Sequence, residues 1–222
     1  MRRFFDILIS LVIIIFFIPL CLLIVIYMLL IGERKIFFRQ KRIGNNGEFL
    51  LIKFNTMLDN SENMPGGLIT TKNDPRIIPG LNWLRKTKLN ELPQFLNVLN
   101  SDLSIVGLRP LPLSYYEELS GQQKSTSDIC VKGLTGVASL IFRNEEQLFS
   151  NEINLYEFDK NIVVPYKLQL ESWYSKDKRL FKYFLIGFLT PVIIFSGSTK
   201  MVWKMFYDIP KPPEVLKKHL YG

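Results

Sequence analysis

At 222 residues and 48% hydrophobic side chains, the chain suits one domain with appendages and a sizeable core, and is short for two independent folding units. Its formal charge of +8 points to an anionic partner: nucleic acid, anionic lipid or a phosphorylated substrate. Two well-separated cysteines, Cys21 and Cys130, argue against a disulfide framework or a thiolate metal cage, and the single histidine, His219, sits beside the C-terminus. Any catalysis therefore rests on carboxylates, Lys and Arg.

The chain opens with an apolar run, Ile7 to Ile31, with no charged residue between Asp6 and Glu33. It is too long for a signal-peptide core and measures roughly 38 Å as one straight helix, enough to cross a bilayer. Pro19 removes a backbone donor near the middle, so the run is expected to break or bend there. Arg2 and Arg3 precede the run, while Arg34, Lys35, Arg39, Lys41 and Arg42 follow it. Basic ends on both sides suit a hairpin that returns to the cytoplasmic face, while a kinked single span stays open from the segment alone. Residues 1–33 are assigned to this membrane element.

Residues 34–180 read as the body. Ile36 to Phe54 holds two β-prone runs around Asn45, Asn46 and Gly47, the pattern of a hairpin just outside the membrane. Asp59 to Pro79 is loop-like, with Asp74 as a turn former. Leu92, Phe95, Leu96 and Leu99 then recur at helical spacing. Pro93 restricts where that helix begins, so Asn90 is expected to be its N-cap, with Glu91 complementing the positive helix end. The same geometry, with Arg85, Lys86 and Lys88 alongside, also suits a phosphate. No Walker loop, no dinucleotide glycine motif and no Cys/His metal spacing competes. Gly133 to Gly136 (GLTG), followed by Arg143, is a turn-rich stretch that suits close approach to a ligand or an ordinary loop. Residues 181–222 contain a second apolar run, Tyr183 to Phe195, too short to cross a bilayer and expected in the interface or the core. The aromatic and basic tail from Lys204 to Leu220 is expected at the interface.

Together the bent apolar N-terminus, FFRQKRIGNNGEFLLIKFNTM, DPRI at Asp74 to Ile77, LRKTKLNELPQFLNVLNSDLSIVGLRP from Leu84 to Pro110, and KGLTGVASLIFRN from Lys132 to Asn144 resemble the bacterial sugar transferases, specifically the small monotopic phosphoglycosyl transferases. The resemblance implies a predominantly α fold with a small β-hairpin, a re-entrant N-terminal helix and interfacial amphipathic helices. It implies a body on the cytoplasmic face of the bacterial inner membrane, Mg²⁺, a UDP-sugar donor and a polyprenyl phosphate acceptor, with no nucleic-acid partner. In that family an Asp-Glu pair opens the ELPQ helix; the aspartate attacks the donor's β-phosphate, expels UMP and carries the phosphosugar to the lipid phosphate. Here the pair reads Asn90-Glu91, and an amide is a poor nucleophile. Asn55 and Leu108 depart from the pattern as well. On the resemblance, Asn90 and Glu91 take the catalytic and Mg²⁺-binding positions, Lys53, Arg76, Arg85, Arg109 and Arg143 bind phosphates, and Pro19 makes the membrane bend. The function so implied is transfer of a sugar-1-phosphate that starts a lipid-linked glycan. The alternative is a catalytically impaired homologue that binds nucleotide sugar or a partner, such as a downstream glycosyltransferase.

Overall fold

The computed structural model describes residues 1–71, 73–148, 154–177 and 179–221, with the side chain of residue 147 left out. Helix α1, Arg2–Leu30, runs without interruption through Pro19, so the expected break does not divide it into two helices. The loss of one backbone donor is tolerated because the flanking turns keep their own bonds. Most of its apolar side chains are exposed, among them Val12, Ile15, Phe16, Leu22 and Leu23. It is the one helix among the described residues long and apolar enough to cross a membrane.

Both ends of α1 are nevertheless fastened to the same body. At the N-terminal end, Arg3 donates to the Val98 and Leu99 carbonyls at 2.6 and 2.8 Å. Buried Asp6 accepts from the Ser104 hydroxyl, the Ile105 amide and the Tyr183 hydroxyl, the last at 2.7 Å. These bonds compensate for removing a carboxylate from water. At the C-terminal end, Ile24 and Met28 pack with Phe54, Leu81 and Leu84, and Tyr27 donates to the Gly80 carbonyl.

Strands β1 (Phe37–Gly44) and β2 (Gly47–Phe54) form the expected antiparallel hairpin, with Gly44 opposite Gly47 and a two-residue loop, Asn45-Asn46, between them. Gly47 takes a φ of 103°, available to glycine without penalty. Alternation along β1 puts Phe38, Gln40 and Arg42 on one face, and Lys53 lies opposite Phe38. The expected irregular segment holds one 3₁₀ turn, Ser61–Asn63, and turns among its other described residues, and Asp74 does hold a turn, accepting from the Arg76 amide at 3.0 Å.

Short helices α2 (Asn82–Lys86) and α3 (Gln94–Leu99) flank a 3₁₀ turn, Leu89–Glu91. One expectation fails here. Asn90 does not cap α3; it lies inside the 3₁₀ turn, the position before α3 is Pro93, and no side chain caps that end. The apolar stripe of α3 is not its buried side: Leu96 is exposed, while Gln94, Asn97 and Val98 are buried. Asn97 is held there by hydrogen bonds, accepting from the Ile52 amide and donating to the Leu50 carbonyl.

Strands β3 (Ser104–Val106) and β4 (Gly133–Thr135) pair in parallel. A Cβ on Gly133 would lie 2.1 Å from the Gly107 nitrogen, so the GLTG stretch serves a close crossing of two backbones. Between these strands lie α4 (Leu113–Glu117) and α5 (Gly121–Ile129), the latter opened by a Ser120/Gln123 capping box. Helices α6 (Val137–Ile141), α7 (Glu145–Leu148) and α8 (Leu155–Phe158) follow. A π-helical turn, Asp159–Val163, leads into α9 (Val164–Lys176). In α10 (Leu180–Ser196), Tyr183, Ile186, Leu189 and Ile193 enter the core while Phe181, Phe184, Phe188 and Phe195 stay exposed, so the second apolar run is both core and surface. Helices α11 (Lys200–Met205) and α12 (Glu214–Leu220) close the chain. The tail expected at an interface also buries Phe206, Ile209, Leu216 and Leu220 in the main core, leaving Met205, Tyr207 and Val215 outside.

Candidate active site

One cleft of about 1110 Å³ runs between the hairpin, the turn before α3 and α10. Its polar part is lined by Arg42, Lys53, Arg85, Lys86, Lys88, Arg109, Arg143 and Lys167, against Glu62, Glu91, Glu145, Glu146 and Asp159. The positive excess suits a polyanion. Its apolar part is lined by Ile9, Ile13 and Phe17 of α1, Leu92 and Phe95, and Phe184, Phe188 and Pro191 of α10.

Asn90 and Glu91 sit where the cationic wall gathers. The turn that carries them begins after Lys88, whose φ of 60° is an uncommon left-handed conformation for a non-glycine residue. Asn90 is buried, and its Oδ1 has no hydrogen-bond partner among the described residues. A buried orphan acceptor is costly unless something else fills its place. Glu91 is clasped by Arg109 through two hydrogen bonds of 2.8 and 3.0 Å, with the Lys88 ammonium 3.7 Å away. Burial alone would raise its carboxyl, but Arg109 and Lys88 outweigh that and hold it well below the usual carboxylate range.

The phosphate-binding assignments divide. Arg85 reaches the Thr56 and Thr70 hydroxyls at 3.3 and 3.1 Å, and Arg143 donates to the Lys86 carbonyl. Both guanidinium groups leave a buried Nε without a partner among the described residues, and both line the cleft with Arg109. Lys53 lies over the Phe38 ring at 4.6 Å; burial first, then Arg42 and Arg85, push its ammonium down to about 7. Arg76 is the exception. It is buried, pairs with Asp74 at 2.6 Å and donates to the Ser61, Gly67 and Ile69 carbonyls, with no part in the cleft lining. Its role is to clamp the loop, and the expectation that it faces phosphate is corrected.

Arg42 and Lys88, two cations close to Glu91, were not assigned to phosphate on the resemblance. Arg42 donates to Gln40 and to the Pro110 carbonyl, and Lys88 flanks Glu91. Strand alternation signals the first, since Arg42 shares the hairpin face that carries Lys53. The second stands three residues before Glu91, in the cationic stretch that also suits a phosphate.

Among the described residues no three His, Cys, Asp or Glu side chains gather as a metal cage. Mg²⁺ commonly takes one or two protein oxygens and completes its shell with water and substrate phosphates. The orphan Oδ1 of Asn90 beside Glu91 fits that mode.

Fold and cleft thus define a class: a small helical body, fastened to both ends of an apolar helix, with a cleft that joins a cationic wall to an apolar mouth. The chain belongs to the bacterial sugar transferase family, whose model matches residues 1–197. It is 30% identical to the galactosyl transferase CpsE of Streptococcus agalactiae over 72% of this chain and 35% of that protein. It is 32% identical to the exopolysaccharide production protein ExoY of Sinorhizobium fredii, over 65% of this chain and 70% of that one. A 33% identity links it to the UDP-glucose:undecaprenyl-phosphate glucose-1-phosphate transferase of Klebsiella pneumoniae, over 77% of this chain and 37% of that protein. The matched stretch is therefore well under half of CpsE and of the Klebsiella enzyme.

Proposed function

We propose that the chain transfers a sugar-1-phosphate from a UDP-sugar to a polyprenyl phosphate, starting a lipid-linked glycan at the cytoplasmic face of the bacterial inner membrane. The observation that carries this reading is the meeting, in one cleft, of a cationic wall around Asn90-Glu91 and an apolar mouth between α1 and α10. A diphosphate fits the first and an isoprenoid tail the second. The names of three relatives, each a UDP-glucose:undecaprenyl-phosphate glucose-1-phosphate transferase, support the same pair of substrates.

In this reading α1 enters the bilayer and returns, because a body bonded to both Arg3 and Tyr27 has to lie on one side of it. Arg85, Arg109 and Arg143 neutralise the donor's phosphates, and Lys53 joins them once the anion restores its proton. Mg²⁺ would be held by Asn90 Oδ1 and Glu91 and would add positive charge where UMP leaves. An acid at position 90 would form a bond from its carboxylate oxygen to the sugar-bearing phosphorus as the bond to UMP breaks; the lipid phosphate would then displace it. The amide of Asn90 lacks the charge for that attack, and Glu91 is held by Arg109. The chain is accordingly expected to bind its donor well and turn over slowly. The second reading, a binding-only homologue serving a partner glycosyltransferase, draws on the same two observations.

Radiolabelled UDP-glucose, UDP-galactose and UDP-N-acetylglucosamine, incubated with undecaprenyl phosphate and Mg²⁺, distinguish the two. Label should reach the lipid slowly with the chain as it stands and faster with Asn90→Asp. Folded protein that moves no label from any donor in either form would leave the binding-only reading.

A further inference from the structure

Beyond the phosphate-binding wall, the cleft holds a second polar group that the proposed chemistry does not use. Tyr115, at 5% exposure, donates its hydroxyl to Asp159 Oδ2 at 2.6 Å; Asp159 is 8% exposed, and its Oδ1 receives no hydrogen bond among the described residues. Beside them Lys167 pairs with Glu145. All four side chains line the cleft. They come from three separate stretches of the chain: Tyr115 from α4, Glu145 from the start of α7, and Asp159 and Lys167 from the π turn and the helix α9 that continues it.

The backbone is shaped to bring them there. Pro165 has no N–H to give to a regular α-helix, and the turn just before it is a π turn that starts at Asp159. Such turns insert one extra residue into a helix and are frequent at functional sites. Glu145 and Lys167 both feel the charge of Arg109, so this group adjoins the wall assigned to the phosphates.

Resting on the proposed function, we propose that Tyr115, Asp159, Lys167 and Glu145 hold the sugar ring of the donor and select among sugars. The composition argues for a neutral polyol: two carboxylates, one ammonium and one phenol offer both acceptors and donors, while their net negative charge disfavours a further phosphate. Vicinal hydroxyls match the open oxygen of Asp159 and the ammonium of Lys167. Leu108, Val164 and Leu168 supply apolar surface at the same part of the cleft for the ring's C–H faces. The uridine then belongs at the other polar end, among Asn55, Thr56, Thr70 and Asn73, where amides and hydroxyls suit a base edge.

The test is calorimetric titration of the full chain in detergent, with Mg²⁺, against UDP and against UDP-glucose, UDP-galactose and UDP-N-acetylglucosamine. Because binding is read, slow turnover does not interfere. Asp159→Asn keeps an acceptor for Tyr115 and is expected to weaken the best-bound UDP-sugar at least tenfold while changing UDP affinity less than threefold. Tyr115→Phe should do the same to a smaller degree, and it serves if the first variant fails to fold. The ranking among the three sugars should shift in both. Equal loss for UDP and UDP-sugar would place the uridine here and overturn the inference, as would unchanged UDP-sugar affinity in both folded variants. Binding of neither UDP nor any UDP-sugar by the unsubstituted chain would overturn the proposed function, and this inference with it.

Discussion

Two arginine environments sit side by side in this fold. Arg76 has its donors matched by one buried carboxylate and three carbonyls, and it ties Ser61, Gly67, Ile69 and Asp74 together. Arg85 and Arg143, on the cleft wall, each leave a buried nitrogen with no partner among the described residues, as Asn90 leaves its oxygen. The difference separates polar groups that build the fold from those kept for a ligand, since an unmade buried hydrogen bond is tolerated mainly where something else completes it.

The comparison is broken most directly at Arg76. Arg76→Ala leaves Asp74 charged and buried without its partner, which should cost about 3–5 kcal/mol and lower the melting temperature sharply. If the variant melts with the native protein, the clamp is not structural.

Glu171 is an intermediate case: fully buried, with Oε1 accepting from the Ala138 amide at 2.8 Å and Oε2 without a partner among the described residues, yet absent from the cleft lining. Burial pushes its carboxyl up from 4.5 to about 7. A group raised in the fold contributes fully below its unfolded value and loses that contribution as pH climbs through its folded one. Stability should therefore fall between pH 4.5 and 7, by up to about 3 kcal/mol. Glu171→Gln should gain stability over the native chain at pH 8 and little at pH 5; melting curves with the same difference at both pH values would show that the carboxyl is not buried in its charged form.

On the ligand side, Arg109→Ala should weaken UDP-sugar binding by about 10- to 100-fold, the range of a charge-assisted hydrogen bond. Lys86→Ala, at an exposed cation on the same rim, should change it less than threefold. Equal effects would mean that bulk charge, and not the arrangement around Glu91, holds the donor.

The smallest effect is protonic. With Lys53 near 7 in the free protein, a bound diphosphate should raise it, so binding at pH 8 takes up a fraction of a proton and weakens as pH rises further. Titrations in buffers of different ionisation enthalpy read this directly, and Lys53→Met should abolish the uptake.

Much of this was legible in the sequence. Asn45-Asn46-Gly47 marked the hairpin because a tight two-residue loop needs those residue types, and the LRKTKLNELP stretch marked the centre of the site. The failures share a cause. The stripe Leu92, Phe95, Leu96, Leu99 correctly indicated a helix, though not where its apolar side faces: Leu92 and Phe95 line the cleft and Leu96 is exposed. Asn90 was read as a cap because caps are local; its actual place in a 3₁₀ turn depends on how α2 and α3 meet. Arg76 was misplaced although Asp74 lies two residues away, since sequence does not say which of several arginines has its donors filled. Tyr115 and Asp159 were missed because 44 residues separate the partners.

The central claim is that this cleft is complete for binding and deficient only in the nucleophile at position 90. Intact-protein mass spectrometry after mixing with Mg²⁺ and the best-bound UDP-sugar tests it most directly. The account predicts no adduct on the chain as it stands and a phosphosugar mass on the folded Asn90→Asp variant. A phosphosugar on the unsubstituted chain, or none on a folded Asn90→Asp variant that binds the donor, would contradict it.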